Sequence, residues 1–281
     1  MAVKVYKPTT PSRRKQSVAD YSILEKKVKT PKGLISYKVT SAGRNNSGKI
    51  TVRHRGGGAR KRVRLVDFSR SDKKDISATV QTIEYDPTRS TFISLVAYKD
   101  GTKRYILYPQ GLKVGDSVVY SDKADILPGN RLALKNIPVG TLVHDIELIP
   151  GRGGKVARSA GGYCILRNLE GGFALLKMPS GEIRKFNDGC LASVGQLSNA
   201  DNMNVRIGKA GRKRHMGIRP TVRGKAMNPV DHPHGGGEGV NSIGMKYPKT
   251  PWGKHALGVR TRKAKKYSNR MIIKRRAKKR K

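Results

Sequence analysis

Thr91-Phe92-Ile93-Ser94-Leu95-Val96-Ala97-Tyr98-Lys99-Asp100-Gly101-Thr102-Lys103-Arg104-Tyr105-Ile106-Leu107-Tyr108 decides the fold. Two runs rich in Ile, Val, Leu and Tyr flank Asp100-Gly101, a pair that supplies the positive φ angles a tight hairpin needs. The pattern predicts strands over residues 91–98 and 103–108. Working outward, similar short runs lie at residues 63–68, 78–85 and 116–120, with Tyr85-Asp86-Pro87-Thr88 as a second turn. Leu127-Pro128-Gly129-Asn130 breaks the series, and five more runs follow at residues 131–134, 143–149, 163–168, 173–177 and 182–186. Short strands cut by regular turn signals describe a mostly β protein with two small barrels, an OB-type barrel over residues 61–127 and an SH3-like barrel over 128–200. Helix signals are weak, and residues 18–27 and 199–205 are the candidates for short helices.

The charge map divides the chain differently. Of 281 residues, 60 are Lys or Arg and 19 are Asp or Glu, a formal net charge of +41. Residues 1–64 hold 18 basic and 2 acidic side chains, residues 65–200 hold 18 and 14, and residues 201–281 hold 24 and 3. Leu, Ile, Val and Phe follow the opposite profile, 39 of the 136 central residues against 11 of the last 81. A segment so poor in core residues and so charged buries too little apolar surface to offset its ordering entropy. The expectation is a nearly neutral globular centre between two cationic extensions, residues 1–60 and 201–281, that order against a partner. At +41, that partner is a polyanion, and a self-contained soluble enzyme is a poor fit. No run approaches the ~18 apolar residues of a membrane span. Two cysteines, Cys164 and Cys190, and no apolar signal core suggest a reduced intracellular chain.

Four stretches carry candidate chemistry. Arg53-His54-Arg55-Gly56-Gly57-Gly58-Ala59-Arg60-Lys61-Arg62 sets cations around glycines, which let a backbone approach phosphate while guanidiniums bind its oxygens bidentately. A flexible basic linker is the plainer reading. Residues 150–162 repeat the formula inside the globular part, with Arg152, Lys155 and Arg158 among glycine and alanine; a solvent loop is the alternative. Residues 208–225 carry Lys209, Arg212, Lys213, Arg214, Arg219, Arg223 and Lys225 without an acid. They run into Asn228-Pro229-Val230-Asp231-His232-Pro233-His234-Gly235-Gly236-Gly237-Glu238. His232 and His234 beside Asp231 and Glu238 invite a metal or acid–base reading, but the set is too sparse for zinc or a hydrolytic centre. RNA contact or a plain structural turn fits better. Trp252, the single tryptophan, lies in Thr250-Pro251-Trp252-Gly253-Lys254 with little local core, so it either stacks on a base or packs onto the barrels. Residues 274–281 hold seven cations in eight, a phosphate-bound or solvated tail.

These stretches in order, together with Lys7-Pro8-Thr9-Thr10-Pro11-Ser12-Arg13-Arg14, Ile83-Glu84-Tyr85-Asp86-Pro87-Thr88-Arg89-Ser90 and Asn136-Ile137-Pro138-Val139-Gly140-Thr141, closely resemble the large-subunit ribosomal protein L-two family over nearly the whole chain. The form of residues 229–238 is similar to the bacterial or organellar branch. The resemblance implies a non-enzymatic RNA-binding protein of the large ribosomal subunit, near the subunit interface and the peptidyl-transferase region, with roles in assembly and subunit joining. It implies ribosomal RNA and other ribosomal proteins as partners, small-subunit contact, no membrane and no homo-oligomer. The location is a cytoplasmic ribosome, with an organellar one left open, and no cofactor is implied beyond RNA-associated magnesium. Arg89 and Arg158 match arginines the family uses on RNA, and His232 matches a histidine reaching toward the peptidyl-transferase region, with no catalytic role assigned. The RNA-binding candidates are thus Arg53, His54, Arg55, Arg60, Arg62, Arg89, Arg104, Arg152, Lys155, Arg158, Lys209, Arg212, Arg214, Arg219, Arg223, His232, His234, Trp252 and Lys254. The chain departs from the family at His215, where relatives usually have Trp, and at Tyr108 and Cys164. Two other classes remain as alternatives: a metal-dependent nuclease built on Asp231, His232 and His234, and a DNA-compacting architectural protein.

Overall fold

The computed structural model describes residues 3–26, 28–37 and 40–276. Strand Ile93–Tyr98 pairs antiparallel with Lys103–Leu107, placing Ile93 opposite Leu107 and Ala97 opposite Lys103. Of the turn's Asp-Gly pair, only Gly101 takes a positive φ, +82°. Asp100 instead accepts the Thr102 N–H on its carboxylate at 3.0 Å. The hairpin therefore closes through a three-residue loop with glycine in the left-handed region, rather than the two-residue turn the dipeptide favours.

Ala78–Glu84 flanks Ile93–Tyr98 on its other edge, and Ser117–Val118 completes a four-stranded sheet. Both faces of this sheet are covered. Val80, Ile83, Phe92, Val96 and Ile106 pack on one side, and Ile93, Leu95, Tyr105 and Leu107 meet Leu197 on the other. Burial on two faces explains why the hairpin reads as continuous apolar runs rather than strict alternation. Parallel bridges from Val66 to Tyr105 and from Lys74 to Tyr120 continue the pairing at both edges, as an OB-type barrel requires.

The SH3-like part is a seven-stranded antiparallel sheet in the order Ile272–Lys274, Ile183–Asn187, Phe173–Lys177, Cys164–Glu170, Leu142–His144, Leu191–Val194, Arg131–Ala133. Its core holds Leu132, Leu134, Ile137, Val143, Ile146, Leu166, Leu176 and Phe186. The single strand expected over residues 143–149 is split. Asp145 takes φ +48°, and Ile146–Glu147 turns away to pair with Gly154–Val156. The helix expected over residues 18–27 does not form in the described part. Ser17–Val18 is a strand paired with Lys4–Val5, and the Asp20 carboxylate then accepts the Ser22 N–H at 3.0 Å. Such a local bond offers the backbone a turn in place of a helix. Residues 199–205, the other helix candidate, hold the 3-10 turn Ala200–Asn204. Of the basic run at 274–281, residues 277–281 lie outside the described residues.

The chain divides into two compact units, one of Met1–Val39, Arg60–Lys209 and Arg270–Lys281, the other of Thr40–Ala59 and Ala210–Asn269. All three apolar clusters belong to the first unit. The second contains the helix Ala210–His215, the 3-10 turn Gly224–Ala226 and a series of tight turns. Its one buried residue is His232. Mostly β architecture with OB-type and SH3-like barrels thus accounts for the first unit, and the second has no apolar core. No helix among the described residues is long and apolar enough to cross a membrane.

Candidate nucleic-acid interface

The glycine loop of residues 150–162 is a built structure, not a slack one. Its backbone turns inward. The buried Glu147 carboxylate accepts the N–H groups of Gly151 and Gly153, each at 3.1 Å. The Gly154 N–H donates to the Phe68 carbonyl at 2.9 Å, and the Gly161 N–H to the Ser198 carbonyl at 3.0 Å. With the amides satisfied inside, the side chains of Arg152 and Lys155 stand exposed. The glycines here serve the protein's own packing: a Cβ at Gly154 would overlap the Asp145 carboxylate. With those amides turned inward, it is the cations of this loop, not its backbone, that are available to a phosphate.

Arg158 and Arg89, far apart in sequence, meet at Phe68. Their guanidiniums lie 4.3 and 5.0 Å from its ring centroid, a stacking that fixes cations without neutralising them. Arg158 also donates to the Gly154 carbonyl at 2.9 Å. Arg89 ion-pairs with the buried Asp86 at 3.2 Å. Burial, the largest influence, lowers the Arg89 pKa; Asp86 opposes it and the nearby Arg158 adds to it. Two crowded guanidiniums share this spot, and an added anion would relieve their repulsion. Arg104 differs. It forms ion pairs with both Asp67, at 2.6 Å, and Asp72, so its charge is spent within the barrel. Arg60, Arg62 and Lys209 are exposed in the same unit, Arg62 on the strand Arg62–Arg64.

In the second unit the loop at residues 53–59 lies along residues 215–219. Gly56 N–H donates to the Gly217 carbonyl at 3.0 Å, Ala59 N–H to the His215 carbonyl at 2.9 Å, and Arg219 N–H to the His54 carbonyl at 3.0 Å. A Cβ at Gly58 would come within 2.9 Å of the Gly217 Cα. These glycines therefore admit a neighbouring chain segment, where the sequence suggested a phosphate. Arg53, Arg55, Arg219, Arg223 and Lys254 point outward, with His54, Arg212 and Arg214 half-buried. The Arg53 guanidinium lies 5.3 Å from the Trp252 ring centroid, and Trp252 stays 75% exposed.

His232 and His234 are braces. The His234 backbone N–H donates to His232 Nδ1 at 3.1 Å, and the Lys249 N–H donates to His234 Nε2 at 2.8 Å. Their rings sit 4.7 Å apart, and the His232 ring lies flat enough on Gly224 that a Cβ there would be 2.5 Å from Nδ1. Among the described residues, no group of three or more His, Cys, Asp and Glu side chains converges as a metal site would. The arrangement matches the structural-turn reading, with one ring nitrogen of each histidine accepting a backbone N–H.

Family models match most of the chain. Residues 31–120 match Ribosomal Proteins L2, RNA binding N-terminal domain, and residues 127–253 match Ribosomal Proteins L2, C-terminal domain. The chain belongs to the ribosomal protein L2 family. As an L2 family member it is a structural protein of the large ribosomal subunit that binds ribosomal RNA among other ribosomal proteins. In this L2 chain Tyr108 and Cys164 are both core residues with local partners. Tyr108 is buried, and its hydroxyl donates to the Leu112 carbonyl at 2.8 Å. Cys164 is fully buried beside Met178, and burial pushes its thiol up to about 12, which keeps it protonated and inert. His215 is exposed at the end of the helix Ala210–His215. Sequence reasoning missed Arg131, Asp145 and Glu147 as residues of the site's foundation. Two acids within residues 143–149, an apolar stretch read as one strand, were the available signal, since a buried charge needs a partner.

Proposed function

We propose that this chain acts without catalysis, as a single copy in the large subunit, at the subunit interface near the peptidyl-transferase region, supporting assembly and subunit association. The observation that supports this is the contrast in how cations are held. In the first unit Arg152, Lys155, Arg158 and Arg89 are fixed on a packed scaffold. In the second unit, fourteen Lys and Arg lie within residues 210–269, a segment with a single buried residue. A rigid cationic face recognises the shape and backbone of a folded RNA, and a coreless cationic segment orders by neutralising phosphates within it.

The barrels dock first, through Arg89, Arg152, Lys155 and Arg158. The extensions then thread between RNA helices that would otherwise repel one another, and magnesium held by the RNA supplies the remaining neutralisation. The small subunit and neighbouring ribosomal proteins are the further partners, in a cytoplasmic ribosome. In this reading the turn that carries His232 and His234 is the part of the second unit directed to the peptidyl-transferase region. The domain plan that goes with this reading is an extension over residues 1–60, barrels over 61–127 and 128–200, and a second extension over 201–281.

Sedimentation tests the proposal. The tagged chain in a lysate should travel with the large subunit, and purified chain should prefer large-subunit RNA to duplex DNA in direct competition. Equal affinity for duplex DNA would favour the DNA-compacting alternative. RNA cleavage by the pure chain that stops on chelation would favour the nuclease.

A further inference from the structure

Two buried acids of this basic protein, Asp145 and Glu147, lie directly beneath its glycine loop. Glu147 is fully buried. Its Oε2 accepts N–H groups from Gly151 and Leu191, its Oε1 accepts from Gly153, all at 3.1 Å, and Arg131 Nη2 stands 3.6 Å from Oε1. Arg131 is itself fully buried, and its Nη1 donates to the Asp145 carbonyl at 3.0 Å, to Asp145 Oδ2 at 3.1 Å and to Ser193 Oγ at 3.2 Å. Asp145 in turn sits at the split of the expected strand, with its N–H on the Ala157 carbonyl at 3.2 Å. One carboxylate therefore joins the first turn of the loop, at Gly151 and Gly153, to the core strand at Leu191.

An anion under a cationic, RNA-facing loop works against the attraction the loop provides, and burying it costs several kcal/mol before its bonds are counted. A neutral side chain would fill the space without that cost. What the carboxylate supplies is acceptor capacity: two oxygens satisfy three inward N–H donors at once, which no neutral side chain of this size does. The glycines at 151 and 153, with φ of +75° and +69°, are what allow both N–H groups to turn inward together. We infer that Glu147, held by Arg131, is a positioning residue for RNA binding: it fixes the glycine loop so that Arg152, Lys155 and Arg158 are presented in one geometry before RNA arrives. This inference rests on the RNA-docking role proposed above and adds the residue that preorganises it. Ordering before binding removes an entropic cost that the complex would otherwise bear.

Glu147→Gln in the full chain tests it. The substitution keeps shape but turns one acceptor oxygen into an NH2 donor facing N–H groups. Amide exchange at Gly151, Gly153 and Leu191 should accelerate while the core strand at Val143 stays protected. Affinity for a large-subunit RNA transcript, measured well below the melting temperature, should fall about ten-fold, as when the competent loop population drops to roughly a tenth. The salt dependence of binding should keep its slope, because every cation remains. Unchanged affinity with a loosened loop overturns the inference, as does lowered affinity with the loop amides still protected. If the Gln variant does not fold, Gly151→Pro gives the affinity readout and amide exchange at Gly153 and Leu191 from the surface side. It removes one N–H donor and cannot adopt the left-handed backbone, and no atom lies within 4 Å of a Cβ there. Wild-type chain that binds the transcript no better than an unrelated RNA overturns the ribosomal docking role instead, and the exchange data still decide whether Glu147 holds the loop.

Discussion

The two units solve opposite problems with the same composition of cations. In the first, apolar strands packed on both faces generate the order, and Arg89 and Arg158 are mounted on it by stacking on Phe68. In the second, backbone hydrogen bonds between glycine-rich segments provide the shape, and His232 is the one side chain taken out of water. Hydrogen bonds exposed to solvent contribute little net stability, about 1 kcal/mol each at best, because water competes for both partners. The lesson is that a cation's value for binding depends on what holds it. On a core it is ready in advance; on a coreless segment, in the function proposed, the RNA orders it.

Deleting residues 210–269 and joining the ends by a glycine–serine linker is the largest break in that comparison. The remaining unit keeps its three apolar clusters, so its melting temperature should move by no more than about 2 °C. Its salt slope for RNA binding should fall by several units, each lost phosphate contact removing roughly 0.7–0.9. A collapsed core would show that the second unit supports the first. An unchanged slope would show that its cations do not meet phosphate.

Arg131→Met attacks from the other side. It strands Asp145 and Glu147 as buried charges without their cation, a loss of about 3–5 kcal/mol. Calorimetry should register a fall of about 10 °C. Arg219→Met, an exposed cation of the second unit, should leave the melting temperature unchanged and lower RNA affinity only.

What was legible in the sequence follows the same divide. The hairpin around Gly101 and the runs of the second barrel could be read because apolar spacing reports a buried face. The strand Leu191–Val194 and the C-terminal strand Ile272–Lys274 were not read, since Leu-Ala-Ser-Val and Ile-Ile-Lys are too short to show a period. The helix Ala210–His215 has no buried residue, so no apolar period marks it. Charge density found the stretches rich in exposed cations, but it could not tell a free cation from a paired one. Arg104 and Arg152 look alike in sequence, and only the positions of Asp67 and Asp72 separate them. Two acids in an apolar run mark Glu147 as a candidate buried charge, but its role stays hidden for a related reason: its partners are backbone amides, which every residue has.

Gly224→Ala tests whether the second unit holds any fixed geometry of its own. The new Cβ would stand 2.5 Å from His232 Nδ1, too close to be accommodated without moving the ring. The bond from the His234 N–H to His232 Nδ1 should break, a local cost of about 1 kcal/mol that leaves the first unit's melting unaffected. The imidazole proton shifts of His232 and His234 in NMR spectra should change together. Unperturbed shifts would mean that the turn at residues 228–235 is already averaged in the free chain.

The smallest effect separates two arginines of one unit. Hydrogen bonding to Asp72 raises the Arg104 pKa, with Asp67 adding to it against burial, so the guanidinium is already neutralised where it stands. Arg152 is exposed, and its backbone is anchored through its glycine neighbours. Arg152→Gln should lower the salt slope of RNA binding by about one phosphate contact, roughly 0.7–0.9. Arg104→Gln should leave the slope unchanged and cost less than about 1 kcal/mol of stability, the usual worth of a partly exposed ion pair. A slope change at Arg104 equal to that at Arg152 would mean that RNA displaces Asp67 and Asp72. The barrel's own acids would then act as placeholders for phosphate, and the division between fixed and recruited cations would run through the first unit as well.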